Sequence, residues 1–127
     1  MSDKNWQDEY SKRIEAMHNK VKHALRDEEQ FVYYSVYPTK NDLPIDNIDD
    51  VAFEGKGILV AEKDSFWGDG ERYESEVVEN PTWVQISVLA NAMIKTTGDY
   101  HHNFLEGIQR TEKTKDGITI FEFAMGS

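Results

Sequence analysis

The sequence predicts one α+β domain over residues 1–127, with a long N-terminal helix and a buried second helix packed on one face of an antiparallel sheet built from two hairpins. Three features predict it. An apolar stripe at helical spacing opens the chain, a nearly uncharged apolar run lies between Pro81 and Gly98, and alternating aliphatic and polar residues broken by Asp-Gly turns lie on either side of that run. With 127 residues and 39% apolar content, the chain is long enough to bury one core and too apolar for a disordered acidic tail.

The stripe runs Trp6, Tyr10, Ile14, Met17, Val21 and Leu25, steps of three and four residues that keep one helix face apolar. Asp3, Asp8 and Glu9 near its start and Lys20, Lys22 and Arg26 near its end complement the backbone dipole. Residues 31–37, FVYYSVY, are rich in aromatic and β-branched side chains and favour a strand, a short helix being the alternative. Residues 38–50 combine two prolines with Asn and Asp and read as a long surface connection; without a central Gly they do not fit a calcium loop of the EF-hand type.

Residues 57–62 and 72–78 read as antiparallel strands joined by the turn KDSFWGDG. In the second, Tyr73, Ser75 and Val77 are expected to face the core, and Arg72, Glu74 and Glu76 the solvent. Asn80 then reads as an N-cap, Pro81 as the first helical residue and Gly98 as the stop of a helix of about 16 residues. Its apolar residues occupy most sides and Lys95 is its one charge, which places it at the centre of the core. The stretch after Gly98, with a turn at KTKDG before ITIFEFAM, reads as the second hairpin. A long helix leading into a curved sheet is also similar to the cone-shaped rolls of the nuclear-transport-factor and ketosteroid-isomerase type, an alternative architecture from which the helix between the hairpins departs.

The net charge is −10, and residues 41–80 hold twelve acids against three bases. A field of that sign repels phosphate backbones, so direct nucleic-acid binding is not expected. A basic protein partner, a cation or mimicry of a nucleic-acid surface would use it, and the plainer role is a solvated face that aids solubility. No Cys is present, which excludes disulfides, thiolate metal sites and a cysteine nucleophile. No apolar run approaches the roughly 18 residues of a membrane span, and the start lacks the basic and apolar regions of a secretory signal, so a cytoplasmic location without membrane association is expected.

Three places could carry chemistry. The first is Asp99-Tyr100-His101-His102-Asn103 with Glu106, at a helix-to-strand junction. In an extended strand Tyr100, His102 and Glu106 share one face and could act as an acid/base set beside a pocket, whereas His101 and His102 point to opposite faces and cannot together chelate one metal. The paired His resembles the pterin carbinolamine dehydratases in those two residues. That family continues with Pro-Glu-Trp and a later His, where this chain has Asn103-Phe104-Leu105 and no further His, so the family's chemistry does not carry over. The second place is Phe66-Trp67, two large aromatics in a turn, which serve as binding anchors or fold back over the sheet edge. The third is the carboxylate row Glu71, Glu74, Glu76 and Glu79, with neither the cleft of a glycosidase nor a nucleophile motif nearby.

The sequence therefore leads to the expectation of a non-catalytic interaction protein that offers Phe66, Trp67, Asp69, Glu71, Glu74 and Glu76 to a protein partner or a second copy of itself, with no cofactor and no metal. The alternative is a small-molecule binder or enzyme using Tyr100, His102 and Glu106, and a further alternative is an acidic nucleic-acid mimic.

Overall fold

Two helices owe their positions to the two apolar patterns. In the computed structural model, which describes residues 3–62 and 70–127 and side chains from Trp6 onward, α1 spans Asp3–Leu25 and α2 spans Trp83–Thr97. Met17, Val21 and Leu25 of the α1 stripe are buried, while Ile14 and Tyr10 are half-buried and Trp6 is exposed, so the stripe runs out past the edge of the core. Along α2 only Gln85 and Lys95 are exposed, and Ile86, Ala90 and Ile94 are fully buried. Each of those isoleucines contributes about 1.5–3 kcal/mol through lost apolar hydration.

The start of α2 differs from expectation by two residues. Thr82 is the N-cap, accepting from the Gln85 backbone N–H, while the Gln85 side chain accepts from the Thr82 N–H at 2.8 Å. This capping box satisfies two of the donors a helix start leaves free. Asn80 instead holds a left-handed φ of 48° and accepts from the Gly55 N–H at 2.6 Å, and Pro81 is buried. At the other end Gly98, φ 76°, closes the helix in the left-handed conformation with its N–H on the Ile94 carbonyl.

The strands are β1 (Tyr33–Tyr34), β2 (Thr39–Lys40), β3 (Leu43–Pro44), β4 (Lys56–Ala61), β5 (Tyr73–Glu74), β6 (Val78–Glu79), β7 (Phe104–Lys115) and β8 (Ile118–Gly126). The main sheet has the order β1-β7-β8-β4-β5, with β6 also on β4. Both expected hairpins form, and the two helices pack with this sheet as an α+β domain. The sheet is mixed rather than purely antiparallel, since β4 runs parallel to β8 and β1 parallel to β7. The chain passes through α2 between the hairpins, and that crossover lets the return strand of the second lie beside β4 in the same direction. The sheet stays open, with β1 and β5 at its edges, and does not close into a barrel.

Two local irregularities redirect side chains. Val60 pairs with Glu74 but Gly57 pairs with Val78, which leaves one extra residue on the returning strand. At this bulge the Ser75 hydroxyl accepts from the Leu59 N–H, and the alternation shifts by one: Val78 packs on the core and Val77 is exposed, where an unbroken alternation predicts Val77 inside. The 38–50 stretch is also more ordered than a surface connection. Asn41 and Asp42, φ 55° and 64°, make a tight turn of the mirror-image type between β2 and β3, and Ile48 is fully buried.

One core unites Met17, Val21, Val32, Tyr34, Ile48, Leu59, Ile86, Ile94, Leu105 and Phe121. Asn91 is a fully buried polar side chain within it. Its Oδ1 accepts from the Phe31 and Val32 N–H groups at 2.6 and 3.0 Å, and its Nδ2 donates to the Glu29 carbonyl. The amide thus replaces a missing strand partner for the segment leading into β1.

Candidate functional site

The junction after α2 is a turn, not the beginning of a strand. Gly98 reverses the chain, and Asp99 organises the next three residues: its Oδ1 accepts from the His101 N–H at 3.2 Å, and its carboxylate meets His102 Nδ1 at 2.8 Å. The Asp99 side chain is 20% exposed and that of His102 43%. A carboxylate on Nδ1 orients the ring and turns its other nitrogen, Nε2, away from Asp99.

The three residues expected to act together turn to different neighbours. Tyr100 is exposed and sits edge-on to Phe31 with 5.0 Å between ring centroids, and His102 is paired with Asp99. Glu106 on β7 lays its carboxylate over Gly126, where even a Cβ would come within 2.2 Å of Oε1. Asn103 ties the junction to β1: its side-chain amide donates to the Phe31 carbonyl, and its backbone carbonyl accepts from the Tyr33 N–H. The alternation that would put Tyr100, His102 and Glu106 on one face begins only at Phe104.

The carboxylates of the first hairpin divide into two kinds. Glu74 is bridged by Arg72 at 3.0 Å and by Lys115, and these cations, Lys115 first, hold its carboxyl below the usual carboxylate range. Arg72 also pairs with Glu62 at 3.1 Å. Glu71, Glu76 and Glu79 are exposed and form no ion pair with another described residue. Phe66, Trp67 and Asp69 lie outside the described residues. The segment after them is anchored: Gly70 packs so tightly on the Thr96 and Thr97 backbone that a Cβ there would lie 2.0 Å from the Thr96 oxygen, and the Glu71 N–H donates to that same oxygen.

No family model, curated protein or solved structure matches this chain. The chemistry of its surface is therefore a matter of its own geometry. Among the described residues no group of three or more His, Asp or Glu converges to hold a metal ion. The anchoring of Gly70–Glu71 on the end of α2 places the foot of the acidic hairpin beside the turn that carries Asp99 and His102, so two places far apart in sequence share one end of the helix.

Sequence reasoning misses two concave surfaces. One, of about 310 Å³, is lined by Tyr10, Ile14, Glu15, His18 and Tyr33, where the α1 stripe leaves the core; His18 is edge-on to Tyr33 at 4.1 Å and within 3.2 Å of the Tyr34 carbonyl. The other, of about 370 Å³, lies between the helices and is lined by Ala24, Val78, Val84, Gln85, Val88 and Leu89. Its signal is present in the α2 sequence: a helix apolar on most sides has more apolar surface than one sheet and one helix can cover.

Proposed function

We propose that the protein works by binding rather than catalysis, presenting the acidic first hairpin to a protein partner or to a second copy of itself. One observation carries this reading. Glu71, Glu76 and Glu79 stand exposed and unpaired by other described residues, in a chain region whose twelve acids face three bases. Unneutralised carboxylates attract a basic surface and speed its encounter, while adding nothing to the stability of the fold. Phe66 and Trp67, between the hairpin strands in sequence, supply the aromatic anchors that interfaces favour.

The test compares three immobilised chains: wild type, the Glu71→Lys, Glu76→Lys double variant, and the Phe66→Ala, Trp67→Ala double variant. The expected result is a retained protein, or a self-associated species in light scattering, that is lost from both variants while their circular dichroism matches wild type. Equal association by all three would overturn the reading.

The Asp99–His102 pair supports a second reading, a small-molecule site at the end of α2. Its test is the His102 ring resonance in NMR, expected to move when a pool of small metabolites is added to wild type and to stay fixed in Asp99→Asn. A resonance unmoved in wild type would dismiss it.

A further inference from the structure

The groove between the helices is apolar, open and bordered by charge. Val78, Val84, Val88 and Leu89 are half-buried and Ala24 is exposed at its wall. Residues 46–54 run along the start of α2, with the Ile48 and Asp50 carbonyls accepting from the Val84 and Trp83 N–H groups. That segment carries Asp46, Asp49, Asp50 and Glu54 and no base, and Glu76 and Glu79 flank the Val77-Val78 pair. Lys20, one turn before Ala24, is already held by Asp46 and Asp49. Val51, 50% exposed, lies within the 46–54 segment, while exposed Val77 points to the opposite face from Val78. Beyond Ala24 the border changes sign, because Lys22 and Arg26 line the neighbouring concavity.

From this arrangement we infer that the groove receives an amphipathic basic helix of a partner protein. Its apolar stripe would lie on Val84 and Val88, and its lysines or arginines along one flank would face the 46–54 and 76–79 carboxylates. Two helix walls offer the ridges and grooves against which a third helix packs, and an apolar stripe in an apolar trough is a recurring mode of peptide recognition. The cations supply orientation and encounter rate, and burial of the stripe supplies affinity. This inference rests on the acidic-surface reading above and adds to it a place, a shape and a partner chemistry.

The probe is a labelled synthetic helix with leucine on one face and lysine on the other, titrated with the full chain by fluorescence anisotropy. Its comparators are the same composition scrambled, so that the leucines no longer share a face, and a version with glutamate in place of lysine. Wild type should bind both comparators roughly tenfold more weakly than the probe. Val88→Asp makes the protein more acidic, so attraction by charge alone would hold or tighten, whereas groove docking loses roughly tenfold. Ala24→Glu, at an exposed position in the last turn of α1 where the new side chain displaces no buried contact, should weaken binding likewise and answers the question even if Val88→Asp fails to fold. No difference between probe and scramble, or binding unaffected by Ala24→Glu, would overturn the groove. If that binding is nevertheless lost in the Glu71→Lys, Glu76→Lys variant, the acidic-surface reading stands while the groove falls.

Discussion

Lys115, at the tip of the second ribbon, donates to the carboxylate of Glu74 on β5, although β8 and β4 lie between their strands in the sheet. Glu74 is the strand partner of Val60 and so shares its face, opposite to that of Leu59. Val60 and Ile58 on that outer face are only 4% exposed. The ribbon reaches them because β7 carries two extra residues between Arg110 and Thr114 relative to β8, and a bulge of this kind bends and twists the strand that holds it. The tip therefore curls over the outer face, and the Lys115–Glu74 contact marks where it lands.

A zero-length carbodiimide crosslink should accordingly join Lys115 to Glu74 in the folded chain and be absent from Glu74→Gln. Because Glu74 is held below its ordinary carboxylate range, its contribution to stability is present above that range and is lost as pH falls through the folded value. The melting temperature of Glu74→Gln should lie slightly below wild type at neutral pH, with the gap closing on acidification and in high salt. A gap that widens toward acid would contradict the assignment.

Buried Asn91 allows a sharper mutational test. Asn91→Ala strands the Phe31 and Val32 N–H groups, each costing about 1–3 kcal/mol when left unsatisfied, so chemical denaturation should show a loss of about 2–4 kcal/mol. Asn91→Asp keeps the acceptor but sets a carboxylate oxygen against the Glu29 carbonyl. It should also destabilise, and recover part of the loss where the carboxyl is protonated and can donate. A near-neutral Asn91→Ala would mean that water replaces the amide.

Some of this is legible in the sequence and some is not, for identifiable reasons. Both helices can be read because a 3.6-residue period survives any tertiary context, and the Asp116-Gly117 turn because both its residues must take positive φ, here 53° and 80°. The parallel join of β4 to β8 depends on where α2 lays the chain down, which no local pattern records. Asn80-Pro81 competes with Thr82 and Gln85 as a helix start, and Thr-x-x-Gln is the more complete capping signal. The junction reads as extended only if Asp99 is counted as one residue of a strand. An Asp just past a left-handed Gly more naturally bonds the backbone two residues on, and here it does so at His101. Asn91 is a clue in plain view, since a lone amide in an apolar helix has to bond to something buried.

Alkaline titration should separate the tyrosines. Burial raises the Tyr34 phenol well above its ordinary value despite its bond to Asn47, and burial with the bond to Tyr10 pushes Tyr37 up to about 12. Tyr73 is raised by burial alone. A folded value above the unfolded one of about 10 means that the stabilisation is complete below pH ~10 and is lost as pH rises toward the folded values. Phenolate absorbance of these three should thus appear late and together with loss of the circular dichroism signal. Tyr34→Phe should remove one of the late groups and cost about 1 kcal/mol through the lost bond to Asn47.

The outer edge of β7 is the last place where sequence and topology meet. Among the described residues β1 pairs only with Phe104 and Leu105, which leaves the strand from Glu106 to Lys115 without a neighbour on that side. Such an edge invites another strand, and this one carries the usual deterrents: Arg110, Glu112, Lys113 and Lys115 are exposed, and register shifts interrupt it at Leu105/Gly107 and Arg110/Thr114. Replacing Arg110, Glu112 and Lys113 together by Val removes the charges and raises strand propensity while leaving the buried core untouched. Light scattering should then report larger species than wild type at equal concentration, and the Arg110→Lys, Glu112→Lys variant, with Lys at all three positions, should not. An all-Val variant that elutes and scatters like wild type would show that the bulges and the curled tip protect the edge without help from charge.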